Sequence, residues 1–526
     1  MGGARSAQGS SLAVDGRRSE PAASPAVNRP AFYGDGAPRL PYRSGARTLP
    51  FGLERSWATF GAVALGAATF VGGAVSLGPV AGLGALIAVA LALVVALRPR
   101  VGIFLLVAIV PVVSGVRRGL PIPGFRPSEL LIVGVAAVLL VMASGRRPTP
   151  WKALDWLLLA YALGTLGLGS VDLYQRGAPF TSSDLGTLVG PFQFLLLYRA
   201  LTVTVRTARE RCWCLRLLLL SSLPVSALAI LQQFGLPGLS QQLLSLTNFA
   251  QLAGTGPDSV SRATGPFPHW HDLAGYLLVV ILVAAALLLR ERMDVLSRRR
   301  LVLVVAIAVV ALVETLSIGP ILATVAGVVL LAVWSGRASR GLLGLAVAAV
   351  VAGLLFAPLL QGRYRAQFTA RAPGTERSTF VPQTIAYRVD LWKNVEIPAM
   401  SGNWATGYGP DLPPKLRDFP YTESLYFTML FRGGVPLLLI FVGLMSALAL
   451  AARAARAREG PEQPAIGRVV VIVVVALALL HAQETYLIDS GTPHVLWVLV
   501  GLLAFHESIP RPWRQLARGG AARAAT

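Results

Sequence analysis

The sequence predicts an all-α polytopic membrane protein of about fourteen transmembrane helices, with a range of twelve to fourteen, and one large, partly structured outer loop. Two observations carry this reading. Of the 526 residues 54% are hydrophobic and only 14% charged, at a mean hydropathy of +0.63. A water-soluble chain cannot bury that much apolar side chain with so few charges. The net charge of +22 is distributed in short clusters between apolar runs, as in membrane topology signals, and not in the single patch that nucleic-acid binding needs. Membrane lipids are therefore expected partners and nucleic acid is not.

Residues 1–55 are rich in Gly, Ala, Ser, Pro and Arg and show no secretory signal, so they read as a disordered cytoplasmic tail. A span needs about 20 mostly apolar residues. Eleven candidates lie within 56–360: 57–77, 79–97, 101–116, 127–143, 153–169, 187–204, 213–233, 271–289, 301–318, 320–335 and 341–360. Three more, 433–452, 469–486 and 493–508, lie within 433–508, and 509–526 forms a second cytoplasmic tail. The third and fourth runs are short and flanked by proline, which sets the lower limit of the range. Cys212 and Cys214, beside Arg209, Arg211 and Arg216, read as reduced structural thiols, because the stretch lacks the further soft ligands a metal would need.

Orientation follows from the basic residues. With the N-terminus inside, 32 of the 47 Lys and Arg fall on the inner side and 14 outside, and Arg199 lies within a span. Nine of the outer ones belong to the loop 361–432, where the positive-inside rule loses force because long loops cross regardless of charge. The remaining outer exceptions are Arg117, Arg118, Arg126, Arg176 and Arg262. Both termini are thus expected in the cytoplasm. A loop of more than 70 residues with several Trp and Tyr is too long for a connector and reads as a folded cap, so any chemistry is expected on the outer face.

On that face "RATGPFPHWHDLAGYL", Arg262 to Leu277, turns from a polar loop into a span. Arg262 precedes a Gly-Pro turn, and His269, His271 and Asp272 meet the helix start. One reading has Asp272 or His271 capping the helix and Arg262 touching lipid headgroups. The other makes the helix start and the guanidinium an anion site, since free N–H groups and a positive dipole end converge there. Metal binding by His-x-His-Asp is disfavoured: on a helix, i and i+2 point to different faces, and no third soft ligand is near. In the loop, Arg388 lies in the amphipathic "AYRVDLWKN", ahead of the glycine-rich "ATGYGP". Glu423 and Arg432 bracket "ESLYFTMLFRGG", where the chain re-enters the membrane. A partly desolvated Glu423 can accept a proton, or it can anchor the helix as an interfacial pair with Arg432. Within the spans Glu129, Asp155, Glu314, His481 and Glu484 are ionisable. Asp155 reads as a cap, and His481 and Glu484, at i and i+3, are expected to share a helical face.

The 262–277 stretch resembles the Arg-x-x-Gly-x-Phe-x-His-Pro-Asn-x-Leu-Ala-x-Tyr-Leu pattern of the O-antigen ligase and polymerase superfamily. Arg262, Gly265, Phe267, His269, Leu273, Ala274, Tyr276 and Leu277 match, while Trp270 and His271 depart. Arg388, Trp392, Gly407 and Gly409 match its Arg-x-x-x-Trp and Gly-x-Gly, and "ESLYFTMLFRGGVPLLLIF", with Tyr426, resembles the segment after its large periplasmic loop. "RPSELLI" and "ALDWLLL" resemble its first-half helices, so the likeness runs in order over most of residues 100–505.

The resemblance implies a metal-independent glycosyltransferase of the bacterial inner membrane that needs no cofactor. It would act on the periplasmic side on glycans carried by undecaprenyl diphosphate. Arg262, Arg388 and Arg432 are then the expected diphosphate ligands, and Glu423 and His269 the expected catalytic residues. His271, Asp272, Tyr276, Trp392 and Tyr426 are expected to support them. A chain-length regulator and a flippase are further partners the family implies. Where the ligases carry His-Asn after the long loop, this chain has Glu423-Ser424, and a Ser-Arg between middle helices reads Ser317-Ile318. The missing histidine favours a polymerase, which joins repeat units, over a ligase using another acceptor. A lipid-linked glycan transporter is the alternative from another class, but the two related halves expected of it are not evident.

Overall fold

A computed structural model describes residues 79–119, 125–144, 150–177, 179–247, 262–290, 295–337, 382–410, 422–455, 463–488 and 490–503, with 344, 357, 361 and 362. Among the described residues all regular structure is helical. The two expected tails, the run 57–77, nearly all of 341–360 and much of the outer loop lie outside them.

Helices α1 (Pro79–Leu97) and α2 (Pro99–Val113) meet at an angle of 115°. Pro99 lacks an N–H, and the residue before a proline is pushed out of helical geometry; Arg98 accordingly sits at φ −136°, ψ 80°. Within α2 a π-turn at Leu105–Ile109 precedes Pro111, widening the helix where the proline ring would meet the previous turn. The expected third span is therefore a sharply broken partner of the second.

Helix α3 (Pro127–Ser144) begins with proline, and the Glu129 carboxylate accepts the Arg126 N–H at 2.9 Å. In α4 (Ala153–Gln175) Asp155 accepts the Lys152 N–H at 2.8 Å and pairs with Arg199 of α5 (Ser182–Thr204) at 2.9 Å. Asp155 is thus a cap, and it also pairs with Arg199, which the sequence places within a span. Helix α6 (Ala208–Gln233) opens with a reciprocal Thr207–Glu210 cap and carries both free cysteines, Cys214 buried in the core. The short α7 (Leu239–Thr247) follows.

The centre of the bundle is α8 (Trp270–Leu288), of which 83% of the most apolar stretch is buried. It packs on α6, α9 (Arg298–Glu314), α10 (Ile318–Trp334), α13 (Gln463–Leu480) and α14 (Thr492–Leu503). A helix apolar on every side is stable only when surrounded, which explains its position. Gly275 permits the approach of α14, since a Cβ there would stand 2.3 Å from Thr492 Oγ1. Around the rim, Leu83, Leu322, Leu439 and Leu479 are exposed, an apolar surface that a bilayer covers.

Five helices are long and apolar enough to cross a membrane: α4, α5, α6, α8 and α12 (Leu425–Ala455); the bent α1–α2 pair would make a sixth. The described apolar parts of α3, α10, α13 and α14 are 10–17 residues long, and α3, α13 and α14 each border residues outside the described set. The chain is a multi-pass membrane protein in which the expected runs are largely helical where they are described.

Two boundaries differ from expectation. The run 469–486 ends as a helix at Leu480, and His481 to Ile488 form turns. The His481 carbonyl is taken by the Leu425 N–H at 2.9 Å and the Ser424 hydroxyl at 3.1 Å, which seats the start of α12 against this bend. His481 and Glu484 therefore do not share a helical face and do not pair with each other. The outer loop, in turn, ends in helix: α12 starts at Leu425 and breaks at Gly433–Gly434, two residues before Pro436.

Candidate active site

Four segments distant in sequence meet at the end of the bundle where α8 begins. The first is the approach to α8. Gly265, at φ 55°, makes the expected Gly-Pro turn, and the chain enters the helix through His269 at the N-cap. The His269 side chain makes no capping hydrogen bond, and His271, one of the expected caps, turns to Glu484, 2.9 Å away. The Asp272 carboxylate, 2% exposed, accepts the Ser490 hydroxyl at 3.0 Å and fastens the helix start to the loop before α14.

The second segment comes from the outer loop. Helix α11 (Gln383–Leu391) continues through a π-turn, Trp392–Glu396, into Ile397–Ala399, again ahead of a proline, Pro398. The chain then folds back onto the break in α12. The Val435 N–H donates to Trp404 O at 2.8 Å, and the Tyr408 N–H donates to Phe431 O. Two glycines make this possible. Gly407 has φ 75°, and a Cβ on it would lie 2.6 Å from Phe431 O; Gly434 has φ 63°, with Trp404 O at 2.5 Å from its Cβ position. The third segment is Thr422 to Arg432, and the fourth the turns after α13.

Together with Arg126, just ahead of α3, they line a cavity of about 560 Å³. Two arginines line it, Arg126 and Arg432, together with His269, His271, Glu423 and Glu484. Trp270, Asp272, Gly409 and Tyr486 complete the walls used below. Along one side the charges form a chain. Arg388 Nε lies 2.7 Å from Glu423 Oε2, Arg388 Nη2 donates to Glu484 Oε1 at 3.0 Å, and His271 Nε2 lies 2.9 Å from the same Glu484 oxygen. One guanidinium thus holds two carboxylates, and the second carboxylate orients an imidazole.

The environment separates the two acids. Burial pushes the Glu423 carboxyl up, Arg388 and His271 pull it down, Glu484 raises it, and the net result lies above the ordinary value. For Glu484 burial also acts upward, but His271, Arg388 and His269 outweigh it and hold the group below the ordinary value. Glu423 is therefore the acid closer to exchanging a proton near neutrality, and Glu484 the one that stays charged. On the π-turn, the fully buried Glu396 is pushed up to about 7, by burial and then by Glu423.

Of the expected site residues, His269, His271, Asp272, Glu423 and Arg432 line the cavity. Arg388 joins it through both carboxylates, so Glu423 pairs with Arg388, where the sequence suggested Arg432. Arg262 does not line it; its guanidinium lies 4.4 Å from the centre of the Trp270 ring, itself part of the wall. Tyr276 is buried against Phe267, Trp392 packs on Phe427, and Tyr426 donates to Ala478 O at 2.6 Å, tying α12 to α13. Sequence reasoning missed Arg126, Glu484 and Tyr486 as members of one site. Arg126 was visible as an outer-side basic exception, and Glu484 as an acid near a membrane face. Among the described residues no three His, Cys, Asp or Glu side chains converge in a metal-binding group.

Residues 303–442 match the family model described as O-Antigen ligase. The matched segment contains Arg388, Gly407, Gly409, Glu423 and Arg432, and it brings the superfamily resemblance onto the half of the chain that supplies the outer loop. No curated protein matches the chain.

Proposed function

From the match of residues 303–442 to the O-antigen ligase family, which supports a polysaccharide-assembly function, we propose that this chain is a glycan polymerase of the bacterial inner membrane. It joins repeat units carried on undecaprenyl diphosphate, at the periplasmic face, with both termini in the cytoplasm. The observation that carries the proposal is the cavity at the head of α8, where two arginines face a pair of carboxylates held by a third.

The chemistry needs three things, and the cavity offers a candidate for each. The diphosphate must gain stabilisation as its bond to the anomeric carbon breaks. Arg126 and Arg432 stand in the wall for this, with the first N–H groups of α8 between His269 and Asp272. The acceptor hydroxyl must lose its proton as its oxygen attacks that carbon. Glu423 is a partly exposed carboxylate with a raised proton affinity, and it takes the position of the ligase histidine. The base must also be held in place, and Arg388 does this while keeping Glu484 charged beside it. Arg388 is thus a positioning residue in this reading, and Arg262 acts through Trp270. No step calls for a metal or a cofactor.

One observation favours a second base. His271 is held by Glu484 at 2.9 Å, a carboxylate–imidazole pair suited to proton transfer. Turnover of Glu423→Gln and His271→Gln with a lipid-diphosphate repeat unit separates the two. Loss in the first with retention in the second supports Glu423; the reverse pattern transfers the role to His271. In cells, deletion should leave acceptors carrying one repeat unit. Long glycan stranded on the carrier lipid would instead indicate a ligase.

A further inference from the structure

At the opposite end of the bundle from this cavity lies a second one of about 240 Å³, where α8, α10 and α13 meet. Each helix contributes an arginine: Arg290 follows the end of α8, Arg337 follows the end of α10, and Arg468 lies in the second turn of α13. Ser335 and the first turn of α13, at Pro464 and Ala465, complete the polar part of the wall.

Arginines at this end satisfy the positive-inside rule, and cations at the ends of α8 and α10 suit the negative poles of those helices. The helix-pole reason does not cover Arg468. It stands near the positive pole of α13, where a cation is unfavourable, and adds to the field of two other guanidinium groups. Its Nη1 donates to Ser335 Oγ at 3.1 Å, and its Nε is buried without a hydrogen-bond partner. A site with three guanidinium groups and a helix start has the chemistry that binds phosphate.

The surroundings identify the kind of phosphate. The cavity lies at the ends of α8 and α10, where α10 lines it through Leu331 and Ser335 and exposes Val333 and the half-buried Trp334 in its last turn, the apolar and aromatic side chains of a helix end at a membrane interface. We propose that this cavity binds the phosphate of an anionic phospholipid of the inner leaflet. The site is independent of the reaction assigned to the outer cavity.

The test uses the full chain in nanodiscs of phosphatidylcholine into which phosphatidylglycerol is titrated, with bound lipid counted by native mass spectrometry. Wild type should retain phosphatidylglycerol in preference to phosphatidylcholine. Arg468→Gln and Arg337→Gln should each weaken that retention about fivefold, as expected for one lost cation at the membrane surface. Equal retention of the two lipids by wild type would overturn the proposal without recourse to a variant. So would undiminished retention in both folded variants. Displacement of the lipid by millimolar inorganic phosphate would assign the site to a free anion and overturn the lipid reading.

Discussion

At the scale of single residues the site turns on how Arg388 divides its guanidinium. Nε faces Glu423 and Nη2 faces Glu484, so one arginine lowers the proton affinity of both acids against the upward push of burial, for Glu484 after His271. Replacing Glu423 by Gln removes the acceptor of the proton but not the cavity, and turnover should fall by about 10²–10⁴ with little change in KM. A proportionate rise in KM with kcat preserved would mean that Glu423 binds substrate only. The pH profile provides a second check. Glu423 must be ionised to act, and its proton affinity lies above the ordinary carboxylate value, so activity should rise with pH along a limb above 4.5. Arg388 lowers that affinity, so Arg388→Gln should move the limb to higher pH; an unmoved limb would assign it to another group. Arg432→Ala and Arg126→Ala should each cost about 10²–10³ in kcat, the range for losing one donor to developing charge.

Much of this was legible in residue types but not in pairings. Arg388, Glu423, Arg432 and the His269–Asp272 cluster stand out because ionisable groups beside apolar runs need a reason. Their partners do not follow from local spacing. His481 and Glu484 suggested a pair because i and i+3 share a helical face, but the helix ends at Leu480, where the His481 carbonyl is claimed by the start of α12. Glu484 is thereby released toward Arg388, 96 positions away in sequence.

At the scale of elements, the outer segment is held to the bundle through backbone contacts that depend on glycine. Gly434 sits at φ 63° under Trp404 O, so an alanine there meets both a strained backbone and a carbonyl oxygen 2.5 Å from its Cβ. Gly434→Ala should detach the 404–409 turn from the break in α12. We expect faster proteolysis in the outer segment together with loss of activity, at a cost of about 1–3 kcal/mol from the backbone alone. Proteolysis and activity both at wild-type level would show that the break tolerates a side chain. The sequence reading placed an inward span at 433, the position of the break, but could not show that helix continues outward to Leu425, since the same apolar periodicity serves both halves. The π-turns before Pro111 and Pro398 were equally hidden: proline marks a disturbance, and the surrounding packing decides whether it becomes a bend or a bulge.

At the scale of the molecule, a fully buried central helix presents ionisable chemistry at its start and arginines near its end, with an apolar rim between. Composition made the membrane class plain. Apolar runs also form the shorter helices α3, α10, α13 and α14, of which α10, α13 and α14 pack against α8. If the outer cavity works through arginines alone, activity should survive EDTA; strict dependence on an added divalent ion would require ligands beyond those proposed. The most direct test of the central claim is a purified, reconstituted chain incubated with a single repeat unit linked to undecaprenyl diphosphate, with products resolved by glycan length. The account predicts a ladder of longer glycans still attached to the carrier lipid, lost in both Glu423→Gln and Arg432→Ala. Absence of any ladder from the wild type, or an undiminished ladder from both variants, would contradict it.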